Sequence, residues 1–241
     1  MVSTSPPRSE RGAPWGIADV LLVLAGSFLL GGFFYAGVAR AVHAADGGLD
    51  SSLRTTTEAL VGQLVFYAVT LSVTLIVLVV RHNIDVGELG WRRVSWRWVL
   101  AAVPLTVAGL FIAGALGGVA QTLLPHTQNT QCITVQREYG HAFLLALPVV
   151  CVAAPIVEET VFRGVLYRWL RGVLPIGPAM VVSGGIFALF HLNPLLFLPL
   201  AGLGVLLAWI YERSRSIWPG VLVHALFNLV GLIDIVTAAR C

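Results

Sequence analysis

Polar side chains suited to hydrolysis stand in three short groups within the apolar second half of the chain. The groups are Glu158-Glu159-x-x-Phe162-Arg163, Phe187-x-x-x-His191 and His224-x-x-x-Asn228. A carboxylate in an apolar pocket can act as a general base for water, and an imidazole can orient or deprotonate that water. A second imidazole and an amide can donate hydrogen bonds to a developing oxyanion. The residue types therefore indicate attack of water on a carbonyl carbon.

Helical spacing suggests which role each of these side chains has. Residues four apart share a helix face, whereas adjacent residues point about 100° apart. Glu159 and Arg163 are therefore expected to form an internal ion pair, which leaves Glu158 on a different face and available for chemistry. The same spacing places His224 and Asn228 on one face.

Two mechanisms are open from the residues alone. In the first, Glu158 activates water with help from His191, and His224 and Asn228 bind the oxyanion. In the second, Glu158, His191 and His224 hold a zinc ion with one open position for water. Both mechanisms hydrolyse a peptide bond, and the residues do not choose between them.

The elements that carry these groups are predicted to be membrane helices. The mean hydropathy is +0.86, and only 11% of residues are charged, whereas a soluble domain has about 25%. We therefore expect an all-α, polytopic transmembrane bundle of about seven to eight helices. Seven apolar segments are visible, at about residues 17–39, 59–80, 98–124, 142–163, 177–192, 195–211 and 217–236.

The order of these segments predicts three regions: a flexible tail over residues 1–16, transmembrane helices with an interfacial loop over 17–139, and a catalytic helical core over 140–241. Arginines are more frequent in the loops that lie inside if the N-terminus is cytoplasmic. This bias predicts a cytoplasmic N-terminus, an outer C-terminus and seven crossings. The chain is thus expected to be a multi-pass protein of the cell membrane whose partner is the lipid bilayer. The scattered basic residues do not suggest nucleic-acid binding.

A hairpin is predicted to bring two of the groups to the same depth. The predicted turn is bracketed by Arg171 and Pro178, and Glu158 lies as many residues before Arg171 as His191 lies after Pro178. At 1.5 Å per residue, each is about 20 Å from that turn. A carboxylate, two imidazoles and an amide are thus expected to meet in one cavity within the membrane.

The three groups resemble the motifs of the CPBP intramembrane proteases, also called the Abi family. That family includes type II CAAX prenyl endopeptidases and bacteriocin-processing or immunity proteins. The resemblance covers about residues 140–235 and implies a helical-bundle endopeptidase, usually labelled a metalloprotease, that cleaves a membrane-anchored peptide or protein. It implies Glu158 as the water-activating acid, supported by Glu159 and Arg163. It also implies His191 as a partner of the water and His224 with Asn228 as the oxyanion-binding pair.

The sequence also bears on functions other than this one. The chain lacks the HExxH motif of zincin metalloproteases. The main alternative is a non-catalytic immunity or binding protein of the same fold, which would keep the cavity without turnover. A transporter with an acid–histidine relay ranks third, because broken-helix inverted repeats are not evident.

Overall fold

The computed structural model describes residues 13–45, 48, 50–140 and 142–237, and helices dominate this part of the chain. The helices are α1 (Ile17–Ala44), α2 (Ser51–Leu75, continued by Ile76–Val80), α3 (Trp96–Leu123), α4 (Thr130–Tyr139), α5 (Phe143–Val173), α6 (Ile176–Leu189), α7 (Phe197–Ser214) and α8 (Trp218–Thr237). Short 3-10 turns occupy Val86–Leu89 and Pro194–Leu196. The predicted all-α bundle is confirmed.

Six of these helices are long and apolar enough to cross a membrane: α1, α2, α3, α5, α7 and α8, with α7 extended by the turn before it. Large apolar side chains such as Phe33 and Phe111 point out of the bundle, as lipid-facing positions require. Helix α6 has 14 residues and rises about 21 Å, which is less than the roughly 30 Å of a hydrocarbon core. The protein is therefore a multi-pass membrane protein in which the fifth predicted segment is a short helix. Its orientation stays a prediction.

Helices α1 and α2 form an antiparallel hairpin through reciprocal packing of aromatic rings on glycines. A Cβ atom on Gly31 would lie 2.6 Å from the ring of Phe66, and one on Gly62 would lie 2.7 Å from the ring of Tyr35. Each ring thus occupies space that only a glycine leaves open. Asp50 begins α2 by accepting a hydrogen bond from the amide of Ser52 at 3.0 Å, an N-terminal cap.

Helix α5 contains two π-helical stretches, Val149–Ala153 and Thr160–Tyr167, on either side of the α-helical turn Ala154–Glu159. Such stretches are rare and frequently lie at functional sites. Pro155, two residues after the end of the first stretch, has no amide hydrogen to donate. The second carries Phe162 and Arg163, so the motif helix is locally wider than the ideal α-helix assumed from its sequence.

Helices α6 and α7 approach each other at two glycines. A Cβ atom on Gly204 would lie 2.7 Å from the Cα atom of Gly184, so the two backbones are nearly in contact. This closeness places the Gly204 carbonyl within 3.2 Å of the guanidinium of Arg163, which donates to it. Small residues at a helix crossing therefore bring a backbone acceptor to the buried arginine.

Two predicted loops and part of the predicted tail are structured. Of the predicted tail, residues 1–12 lie outside the described residues, and Trp15 is buried and donates to the carbonyl of Val165 at 3.3 Å. Helix α4 occupies most of the polar stretch 125–141. In the predicted interfacial loop, Trp91 donates to the hydroxyl of Thr160 on α5 at 3.1 Å.

Candidate functional site

A cavity of about 690 Å³ opens between the α1–α2 hairpin, α4, α5, the turn after α6, α7 and α8. Four of the predicted site residues line it: Glu158, His191, His224 and Asn228. The lining also includes the polar side chains Tyr67 and Thr70 of α2. The structure thus brings the three sequence groups to one place.

Glu159 and Arg163 stand behind the cavity and are fully buried. The Arg163 Nη1 atom lies 3.0 Å from Glu159 Oε1, as the spacing predicted. The same carboxylate oxygen lies 3.2 Å from His224 Nδ1. This second contact was not foreseen. It makes Glu159 a link between the arginine and a cavity-lining imidazole, the arrangement by which a carboxylate fixes the ring orientation and the tautomer of a histidine.

Glu158 faces the cavity with one oxygen held and one free. Its Oε1 atom accepts a hydrogen bond from the hydroxyl of Tyr67 at 3.3 Å. Its Oε2 atom is buried and has no hydrogen-bond partner within the described part of the chain. The Nε2 atom of His224 lies 3.8 Å from Oε2. The free oxygen is therefore placed to accept a proton from a water molecule in the cavity.

The tautomer of His191 follows from its hydrogen bond to the backbone. Its Nδ1 atom lies 2.9 Å from the carbonyl oxygen of Phe187. A carbonyl oxygen only accepts hydrogen bonds, so Nδ1 must carry the hydrogen. In the neutral ring Nε2 then holds a lone pair, which can accept a proton or a hydrogen bond from water. His191 lies two residues beyond the end of α6, in the turn that leads to α7.

Asn228 has a structural contact as well as a place in the cavity wall. Its Nδ2 atom donates to the carbonyl of Val150 at 2.9 Å. In the π-helical register of α5, the amide of Ala154 donates to Val149. The next amide would serve Val150, but it belongs to Pro155 and has no hydrogen. Asn228 satisfies this carbonyl, and its amide keeps a second hydrogen that can serve a substrate.

Aromatic rings separate these polar groups from the apolar core. The Phe187 ring lies 4.8 Å from the His191 ring and 5.7 Å from the His224 ring, between centroids. Arg163 stacks on the same phenyl ring, at 4.6 Å from its centroid. Phe162 packs edge-on against Phe187 at 5.2 Å. Phe187 therefore contacts both imidazoles of the cavity.

The donor atoms of the cavity side chains can be compared with those of a zinc site. Two imidazole nitrogens and a carboxylate oxygen are the ligand types that zinc takes in catalytic sites. Within the described residues, however, no group of three His, Cys, Asp or Glu side chains is placed to hold one ion. In addition, the Nδ1 atom of His224 is already in contact with Glu159. The arrangement is not that of a preformed metal centre, and the zinc hypothesis stays a prediction.

Several cavity residues were missed by sequence reasoning. Tyr67, Thr70 and Ser27 belong to helices that appeared generic, and α4 contributes Asn129 and Glu138 to the lining. The available signal was a tyrosine and two hydroxyls inside otherwise apolar segments. Isolated hydroxyl residues are common in membrane helices, so their spacing alone could not assign them to the site.

Comparisons with known proteins agree with this site. Residues 140–230 match the sequence model of the family described as type II CAAX prenyl endopeptidase, Rce1-like. YdiL of Bacillus subtilis, provisionally named a membrane peptidase, is 25% identical over 131 residues, which are 54% of this chain and 52% of that protein. The UPF0177 protein YaiH of Lactococcus lactis is 38% identical over 81 residues, which are 32% of each chain.

The chain therefore spans about half the length of the first relative and about a third of the second. No solved structure matches it. The family model includes all three motif groups, and the match confirms the family resemblance that those groups indicated.

Proposed function

We propose that this protein is an intramembrane endopeptidase, as the family matched by residues 140–230 suggests. The observation that supports the proposal best is the geometry around Glu158. A carboxylate oxygen that has no hydrogen-bond partner among the described residues faces a cavity. It lies 3.8 Å from an imidazole nitrogen of a ring that a second, buried carboxylate contacts. A free base next to a fixed donor is what the attack of water on a peptide bond requires.

The first step is activation of water. Glu158 Oε2 accepts a proton from a water molecule, and the water oxygen attacks the carbonyl carbon of the substrate. The lone pair on His191 Nε2 can accept a hydrogen bond from the same water and orient it. Tyr67 holds the other oxygen of Glu158 during this step.

The second step is stabilisation and collapse of the tetrahedral intermediate. For His224 to donate from Nε2 while Nδ1 donates to Glu159, the ring must carry both protons. His224 and the second amide hydrogen of Asn228 then bind the oxyanion. Glu158 returns its proton to the amide nitrogen, the C–N bond breaks, and a carboxyl and an amine product leave.

We propose a membrane-anchored peptide or protein as the substrate. The catalytic groups lie on helices that cross the bilayer, and apolar side chains such as Leu24, Phe28 and Leu200 share the cavity wall with them. A peptide reaching this cavity must pass the bilayer boundary or enter from lipid. Prenylated CAAX proteins and bacteriocin precursors are the substrate classes that the family resemblance implies.

The test compares membranes of cells that produce the wild-type protein or Glu158→Gln. New peptide N-termini found by mass spectrometry with the wild type, and their uncut precursors with the variant, are the expected result. Glu58→Gln is the matched control, because Glu58 is a partly buried acid of α2 that is absent from the cavity lining. General-base loss should lower the cleavage rate by about 10²–10⁴-fold.

An unchanged set of N-termini with Glu158→Gln, at equal protein level, would contradict the proposal. If that variant and the wild type also bind the same protein equally well, the immunity or binding alternative would replace it.

A further inference from the structure

Two buried hydroxyl groups of the α1–α2 hairpin have no protein partner. Ser27 is 5% exposed and Thr70 is 6% exposed. Neither Ser27 Oγ nor Thr70 Oγ1 has a hydrogen-bond partner among the residues that the structure describes. Other hydroxyls inside the membrane helices behave differently. Thr74 and Thr106 both donate to the carbonyl four residues earlier, at 2.8 Å.

Both unpartnered hydroxyls belong to the wall of the cavity that contains Glu158. Thr70 follows Tyr67 by three residues, so the two share a face of α2, and Tyr67 already contacts Glu158. Ser27 reaches the same cavity from α1. The hairpin therefore presents three hydroxyls to the cavity, one of which is engaged with the proposed general base.

A buried hydroxyl without a hydrogen-bond partner costs free energy, so its presence needs an explanation. A bound substrate would supply the missing partner. A peptide must lose helical structure around the bond to be cleaved, and each freed N–H or C=O group needs a new partner away from water. Hydroxyls can both donate and accept, so they serve either group.

We propose that Ser27 and Thr70 form a binding subsite for the unwound peptide backbone of the substrate, on the cavity wall beside Tyr67. This inference rests on the proposed function and extends it to helices outside the matched residues 140–230. The ligand class is an extended peptide segment, recognised through its backbone and not through a particular side chain. The hairpin thus contributes substrate contacts, whereas α5 to α8 contribute the chemistry.

The experiment measures cleavage by Thr70→Val, Ser27→Ala and the matched control Thr106→Val in lipid nanodiscs. The probe is a pool of membrane-anchored peptides with randomised apolar sequences, and products are quantified by mass spectrometry. Thr106 is as buried as Thr70, lies outside the cavity lining and already bonds to Ala102. Valine keeps the shape of threonine, so the substitution removes a hydroxyl and little else.

We expect each cavity substitution to lower kcat/KM by about two- to tenfold, the usual effect of one hydrogen bond. Thr70→Val should leave the thermal unfolding temperature unchanged or raised, since it removes a hydroxyl that has no partner in the substrate-free protein. Binding of the same peptide pool to the inactive Glu158→Gln protein should weaken by a similar factor when Thr70→Val is added. Thr106→Val should leave cleavage at the wild-type rate and, when added to Glu158→Gln, should leave peptide binding at the Glu158→Gln value.

Wild-type kcat/KM and unchanged peptide binding in Thr70→Val and Ser27→Ala would overturn the subsite. A lower unfolding temperature with normal cleavage would also overturn it, because the hydroxyls would then serve the fold. The proposed function is tested separately: if Glu158→Gln is inactive while both hydroxyl variants cleave normally, only the subsite fails. If Glu158→Gln still cleaves the pool, the proposed function fails first.

Discussion

Substitutions in the buried pair of Glu159 and Arg163 are expected to affect the stability and the activity of the protein differently. Arg163 is fully buried and has three contacts: Glu159 at 3.0 Å, the Gly204 carbonyl at 3.2 Å and the Phe187 ring at 4.6 Å. Removing one member of such a pair leaves an uncompensated charge and typically costs about 3–5 kcal/mol. Glu159→Gln and Arg163→Met should therefore each lower the free energy of unfolding by about that amount.

The double variant Glu159→Gln/Arg163→Met should behave differently. Replacing both members of a buried pair removes the desolvation cost together with the attraction, and such replacements are often neutral or stabilising. Stability should therefore recover to within about 1–2 kcal/mol of the wild type. Activity should not recover, because His224 loses the carboxylate at 3.2 Å that orients it. Loss of such an orienting contact typically costs about 10- to 100-fold in activity.

The assays are equilibrium unfolding in detergent micelles and peptide cleavage in nanodiscs. Glu88→Gln is the control, because the Glu88–Arg168 pair has a similar separation of 3.2 Å but is partly exposed, and exposed pairs contribute about 0–1 kcal/mol. A double variant that cleaves at the wild-type rate would show that the pair is only an internal clamp. Single variants that lose less than about 1 kcal/mol would refute the argument from burial.

Three further predictions follow from individual contacts. Asn228→Leu should lower stability by about 1–3 kcal/mol in thermal unfolding, because the Val150 carbonyl loses its donor, and a wild-type unfolding temperature would contradict this. Gly220→Ala should lower kcat by about tenfold or more. The new methyl group would lie 2.8 Å from Glu159 Oε2 and would displace the carboxylate that orients His224. Unchanged turnover would show that Glu159 can shift freely. Dialysis against a zinc chelator should leave cleavage within about twofold, because the mechanism proposed here uses only side chains. Activity lost on chelation and restored by added zinc would assign the metal-dependent mechanism instead.

The bundle and the meeting of the motifs were predictable because both depend on short-range patterns. Apolar length defines membrane helices, and a four-residue spacing defines a shared face, so the Glu159–Arg163 pair followed directly from the sequence. Equal distances from one turn placed Glu158 and His191 at the same depth. In the structure these two residues, His224 and Asn228 line one cavity.

What the sequence did not predict depends on departures from ideal helices and on contacts between distant segments. The π-helical stretches of α5 change which side chains face the cavity, and their register leaves the Val150 carbonyl to Asn228. The contact of His224 with Glu159 joins residues 65 positions apart. Tyr67 is 91 positions from Glu158. No local periodicity encodes such pairs, because they arise from how whole helices pack.

Charge balance explains why so many ionisable groups are tolerated in one apolar bundle. Glu158 and Glu159 bring two negative charges, and Arg163 brings one positive charge. A doubly protonated His224, which lies 3.8 Å from Glu158 and 3.2 Å from Glu159, makes the cluster neutral. Isolated charges at membrane depth are costly, and pairing removes most of that cost. The form of His224 that the proposed mechanism uses is thus also the form that would balance the charge of the site.

These contacts give the two halves of the chain different roles in the site. Helices α5 to α8 hold the acid, the imidazoles and the amide in fixed positions, and they include the residues that match a known family. The α1–α2 hairpin adds Tyr67, Ser27 and Thr70 to the same cavity. Because backbone-binding hydroxyls are insensitive to substrate side chains, we expect sequence selectivity to come from the apolar remainder of the wall, such as Phe28 and Leu200. Substitutions at those two positions should change which bonds are cut and leave the rate at the best bond within about tenfold, whereas substitutions of the hydroxyls should slow all bonds alike.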